Sequence, residues 1–219
     1  LEWYAKAFSN EAIQDAVINS LIVATVATAF ATAIATIGAL VLARGGSFKG
    51  KTMSLGLITL PLMVPEIVTA VAMLIFFAAI GMNWGLGNVI IAHITFCIPF
   101  AFMPIRARLE GMDTTQEQAA RDLYATEWET FRYVTVPQLM PGIVAGSMLS
   151  FVISMDDFII TLMVGGAGST TLPVYIYSMI RRGVTPEVNA VSSLLLLFSV
   201  AIVTAYWDLS NKTQTKTVH

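Results

Sequence analysis

AVINSLIVATVATAFATAIATIGALVLA, residues 16–43, runs for 28 residues without a formal charge. An α-helix rises about 1.5 Å per residue, so roughly 20 apolar residues cross the ~30 Å hydrocarbon core of a bilayer. The stretch reads as a membrane-spanning helix, and the rest of the chain agrees. Of its 219 residues 56% are hydrophobic and only 12% charged, with a mean hydropathy of +0.75. A soluble domain carries about 25% charged residues. The net charge of −2 gives no basis for nucleic-acid binding. Cys97 is the only cysteine, so an intrachain disulfide is excluded. His93 and His219 are the only histidines and form no metal-ligand pattern; His93 is read as a packing or hydrogen-bonding residue.

Between residues 52 and 105 Glu66 is the only formal charge, and the polar, glycine-rich GMNWGLGN (81–88) divides that stretch into two further spans. A fourth is expected over about 138–164, interrupted by Asp156 and Asp157, and a fifth over about 188–207. Five spans make an all-α membrane protein, read as one transmembrane domain over residues 1–219. Alanines 27, 31, 35 and 39 recur every four residues, as do Gly142, Gly146, Ser150 and Ser154. Such stripes let helix backbones approach closely in lipid.

With the first residue outside, the inner loops hold Arg44, Lys49, Lys51, Arg106, Arg108, Arg121, Arg132, Lys212 and Lys216, against Lys6, Arg181 and Arg182 outside. Lys and Arg gather on the cytoplasmic side of membrane proteins. The charged loop at about 106–137 is therefore placed in the cytoplasm. The inner turn GGSFKGKT (45–52) matches the pattern of a phosphate-binding loop. It joins two spans where such a loop must follow a buried strand, so the nucleotide reading is rejected.

Ten of the 26 charged residues lie between Arg106 and Arg132. In this block Thr114 and Glu117 read as a capping box opening a short helix, with Ala119, Ala120, Leu123 and Tyr124 on its less polar face. Trp128, Phe131 and Val134, spaced by three, set a second short helix that Pro137 is expected to stop. Two amphipathic helices with aromatic anchors suit docking to a soluble partner.

QAARDLYATEWETFRYVTVP (118–137) resembles the EAA loop of ABC importer permeases. Gln118, Ala119, Ala120, Tyr124 and the run Val134 to Pro137 occupy the motif positions, with Gln118 in place of the acid, Tyr124 of the glycine and Val136 of the leucine. The resemblance implies a type I importer permease bundle whose coupling helix, with Gln118, Ala119, Ala120, Asp122, Tyr124, Trp128, Phe131 and Pro137, seats on an ATPase subunit. HITFCIPF, SMDDFIITLMVGG, TTLPVYIYSMIRRGVTPEVNA and the opening LEWYAKAFSN resemble the second permease of spermidine/putrescine importers. That branch implies six spans, the first preceding this chain, in a bacterial inner membrane. It also implies a second permease subunit, two ATPase subunits carrying ATP and Mg, and an external substrate-binding protein. Beyond these and membrane lipid, no nucleic acid, metal or cofactor of this chain's own is expected.

Three acids stand in the spans. A carboxylate there costs about 2.5–3.5 kcal/mol on insertion scales, so it faces an aqueous path or a partner. Glu66 is fifteenth of the 29 residues in 52–80. Glu66 and Asp157 are the acids expected to relay the ammonium groups of a polycation, with Asp156 a further candidate and Trp84, Tyr175 and Tyr177 as cation–π partners. Adjacent Asp156 and Asp157 point about 100° apart on a helix, so at most one lines a path centrally and the other caps or bonds a neighbour. The alternatives are an importer of iron, amino acids or osmolytes, a passive channel, or an aspartyl enzyme. The last needs two converging acids, which neighbours on one helix do not supply.

Overall fold

The computed structural model describes residues 9–183, 186, 189–197, 200–201 and 204, in which the regular secondary structure is helical throughout. In chain order the helices are α1 (Glu11–Arg44), α2 (Lys51–Thr59) continued by the tight turn Leu60–Leu62, α3 (Glu66–Ala79) and α4 (Leu86–Glu110). Then follow α5 (Thr115–Asp122), α6 (Glu127–Thr130) with a wide turn at Phe131–Thr135, α7 (Val136–Asp156), α8 (Ile159–Val164) and α9 (Leu172–Arg182). Among the described residues α1, α4 and the rod Glu127–Asp156 are long and apolar enough to cross a membrane, with a fourth crossing if the bent pair Lys51–Leu62 and Glu66–Ala79 counts as one. Of the fifth expected span, 188–207, residues 189–197, 200, 201 and 204 are described and helical, whereas most of LEWYAKAFSN lies outside the described residues.

Two expectations about helices need correction. The stretch 52–80 is not one straight span, because α2 ends at Leu62 and Glu66 starts a new helix. Pro65 has no N–H, and its ring would strike the carbonyl four residues back. The chain tightens before it, with Met63 N–H donating to Leu60 O at 3.0 Å. Pro137, by contrast, does not stop its helix. The turn before it widens, Val136 N–H reaching five residues back to Phe131 O, and α7 runs on to Asp156. A wide turn makes room for the ring, so the second short helix and the next span are one rod.

The chain forms two compact units. One gathers the described residues of Leu1–Val26, Glu66–His93 and Val152–His219. Ile13, Leu172, Met179 and Val191 form an apolar cluster there, with Tyr175 packed against it. The Ser20 hydroxyl accepts from Leu172 N–H at 2.8 Å and so caps α9 from a distance. Asn19 donates to the Gly168 and Thr170 carbonyls, tying the preceding loop to α1. Within the same unit α3 packs on α8.

The other unit comprises Ala27–Pro65 and Ile94–Phe151. Its core joins Ala35, Ala39 and Leu42 of α1 to Phe102, Ile105 and Leu109 of α4 and to Leu139 of α7. All four alanines of the α1 stripe are buried. The Gly/Ser stripe of α7 lies against α4: Ser150 Oγ donates to Cys97 O at 3.3 Å, and a Cβ on Gly146 would sit 2.6 Å from Ala101 O. Gly142 is equally close to α4, 2.7 Å from the Arg108 Cβ on the same measure. Both stripes are packing surfaces that let backbones meet. Ile18, Phe30, Ile37, Met53 and Phe76 point outward instead, as befits helices that face lipid.

Candidate functional site

The charged loop is a helix, a left-handed turn and a second helix. α5 begins at Thr115, where Asp113 accepts from the Thr115 N–H at 2.9 Å and hydroxyl at 2.6 Å. Those bonds hold the Asp113 carboxyl below the usual carboxylate range. The capping box expected at Thr114 and Glu117 does not form. Glu117 is drawn away by stronger partners, accepting from Arg44 at 2.7 Å and from the Thr135 hydroxyl at 2.8 Å. It thereby ties the loop to the ends of two long helices. The capping box forms instead at Thr126 and Glu129, another Thr-x-x-Glu signal that the sequence reading passed over.

α5 ends as a Schellman motif: Ala125 N–H donates to Ala120 O and Tyr124 N–H to Arg121 O, at 3.0 and 2.9 Å. Tyr124 occupies the left-handed residue of that motif with φ 62°, where glycine is favoured. The turn therefore forms despite the tyrosine. Its side chain is 96% exposed, and Leu123 (82%) and Trp128 are exposed beside it in sequence. Gln118, Ala119, Asp122 and Pro137 are exposed, whereas Ala120 and Phe131 are half-buried. Trp128 leans on Phe131 with ring centroids 5.6 Å apart. A capped, ion-paired scaffold thus holds these large side chains out to solvent. Sequence reasoning missed Tyr133, also exposed, which the wide turn brings to the surface.

The second cluster lies where the helix breaks after Asp156. Asp157 is 7% exposed, whereas Asp156 is exposed. Asp157 Oδ1 accepts from Ile160 N–H at 3.3 Å. Its Oδ2 accepts from the Thr161 N–H and hydroxyl at 3.0 and 2.9 Å, and lies 3.1 Å from His93 Nε2. Asp157 thus caps α8, while Asp156 stands exposed beside it. Glu66 is half-buried in the first turn of α3, the helix that packs on α8 just after Asp156 and Asp157. The bend at Pro65 is what turns Glu66 from mid-span into a helix start.

The aromatic candidates separate. Tyr177 stacks on Phe158 with centroids 4.6 Å apart, and Arg181 lies 5.9 Å from its ring centre. Trp84 is exposed beside the first turn of α4, its N–H donating to Asn88. Tyr175 belongs to the apolar cluster, its hydroxyl 3.5 Å from Asn10 Nδ2. GGSFKGKT is the connector between α1 and α2, and Lys51 Nζ folds back onto Gly46 O at 2.9 Å.

Residues 34–212, which carry the charged loop and the broken helix, match the family of binding-protein-dependent transport system inner membrane components. The chain belongs to this family. As such a membrane component it is a transport subunit, not an ATPase. It is 38% identical to the putrescine transport system permease protein PotI of Escherichia coli K12 over 200 residues, 89% of this chain and 71% of that one. Against the spermidine/putrescine transport system permease protein PotC of Haemophilus influenzae the identity is 37% over 201 residues, 92% and 78% of the two chains. The fold matches that of the MetNI methionine ABC transporter, with a TM-score of 0.75 at 22% identity over 90% of this chain and 94% of that one.

Proposed function

We propose that this chain is one permease subunit of an ATP-driven importer of polyamines in a bacterial inner membrane. It pairs with a second permease, two ATPase subunits that bind ATP and Mg, and an external substrate-binding protein. The observation that carries the substrate class is the likeness, over about nine-tenths of the chain, to permeases named for putrescine and spermidine. The exposed face of α5 and the turn at Tyr124 seat on an ATPase subunit in the cytoplasm.

Within the membrane, Glu66 and Asp156 present carboxylates to the ammonium groups of the substrate. Asp157 supports them from behind, and Tyr177 and Trp84 offer ring faces to ammonium groups at separate points of the path. A polyamine carries several charges along a flexible chain, so spaced acids can pass it on one ammonium at a time. The test is uptake of labelled spermidine and putrescine by the assembled complex in proteoliposomes. Asp156→Asn and Glu66→Gln should each lower uptake more than tenfold, since removing one charge from a partly desolvated pair costs about 2–5 kcal/mol. Full uptake in both variants contradicts the path.

A further inference from the structure

The imidazole of His93 bridges the broken helix, one nitrogen to each half. Its Nδ1 lies 2.8 Å from Ser154 Oγ in the last turn of α7. Its Nε2 lies 2.9 Å from Thr161 Oγ1 and 3.1 Å from Asp157 Oδ2, at the first turn of α8. The ring is 1% exposed, so no substrate reaches it. An ionised carboxylate only accepts, and the Thr161 hydroxyl gives its proton to Asp157. Nε2 must therefore carry hydrogen, and in the neutral ring Nδ1 accepts from the Ser154 hydroxyl.

At the break itself side-chain bonds take over from backbone ones. Between Asp156 and Ile159 the helical ladder lapses, and the first N–H groups of α8 turn to the Asp157 side chain. The direction in which α8 departs then depends on what fixes Asp157 and Thr161 relative to Ser154. α3, which carries Glu66, packs on α8, so that direction also places Glu66.

We propose that His93 is a positioning residue for transport, a staple across the broken helix that sets Asp156 and Glu66 in place as a pair. The proposal rests on the reading of those two acids as path residues. Histidine suits the task because its ring is stiff and offers a donor and an acceptor on opposite edges. An apolar side chain of like size fills the space and leaves the halves unjoined.

The test compares His93→Leu with His93→Gln in the assembled complex. The glutamine amide can donate to Asp157 and accept from Ser154. Two quantities are measured: the uptake rate of labelled spermidine per assembled complex, and hydrogen exchange over residues 157–162. His93→Leu should lower the maximal uptake rate about tenfold and speed exchange, while His93→Gln stays within about threefold of the parent. Parental uptake and exchange in His93→Leu, or a glutamine as damaging as leucine, overturns the staple. If His93→Leu does not assemble, Ser154→Ala and Thr161→Val each remove one arm and should reproduce the loss; parental values in both overturn it. Failure of the path reading shows separately, as full uptake in Asp156→Asn, and removes this proposal with it. Parental exchange in His93→Leu removes the staple alone.

Discussion

Asp156 and Asp157 are neighbours in sequence and opposites in environment. One carboxylate is exposed; the other takes four donors from its own helix start and from His93. That difference predicts how each responds to substitution. Asp157→Ala leaves several buried donors without an acceptor, each worth about 1–3 kcal/mol, and should reduce the yield and melting temperature of the complex. Asp157→Asn keeps an oxygen for the Thr161 and His93 donors, and Asn caps helices as well as Asp. It should assemble and transport, whereas Asp156→Asn assembles and fails to transport. Melting curves and uptake rates on the same preparations separate the two residues. Equal loss of uptake in Asp157→Asn and Asp156→Asn, without loss of assembly, would mean that both face the path. The sequence showed that the pair diverges, because adjacent helical residues must, but not which one turns inward. That choice depends on His93 and Thr161, four and more residues away along the chain or on another helix.

At the scale of elements, spacing was informative wherever it repeated. The stripe of alanines in α1 and the Gly/Ser stripe of α7 both lie buried where helix backbones meet. Within the α7 stripe Gly146 is the tighter glycine against backbone, since an added Cβ falls 2.6 Å from the Ala101 carbonyl oxygen. Gly146→Ala should force α4 and α7 apart at a cost of about 1–3 kcal/mol, read as a lower melting temperature of the complex in detergent. An unchanged melting temperature would mean that the contact is looser than the geometry states. The two prolines were the opposite case. Pro65 breaks its helix, and Pro137 is absorbed by a wide turn. Composition does not distinguish them, because the outcome depends on whether the preceding turn tightens or widens. The capping boxes show the same limit. Thr114 and Glu117 have the right spacing, but Arg44 and Thr135 compete for the glutamate, and they arrive from distant segments.

For the whole molecule, hydropathy gives a membrane bundle, and the match to a family of inner membrane components agrees. The charged loop displays Leu123, Tyr124 and Trp128 to solvent on a scaffold held by Glu117, Thr126 and Glu129. The motif positions were legible in the sequence, including Tyr124 where the motif has glycine. That tyrosine accepts this conformation follows from the Schellman bonds around it. In the proposed function this loop transmits the work of an ATPase to the membrane helices. Ala119 is exposed on α5, so Ala119→Arg leaves the fold of the permease intact and puts a bulky charge in the seat. The decisive measurement is ATP-driven spermidine uptake by the reconstituted complex with this variant, alongside the amount of ATPase subunit that copurifies with it. Uptake and copurified ATPase should fall together while the permease pair still assembles in the membrane. Normal copurification and normal uptake in Ala119→Arg would contradict it.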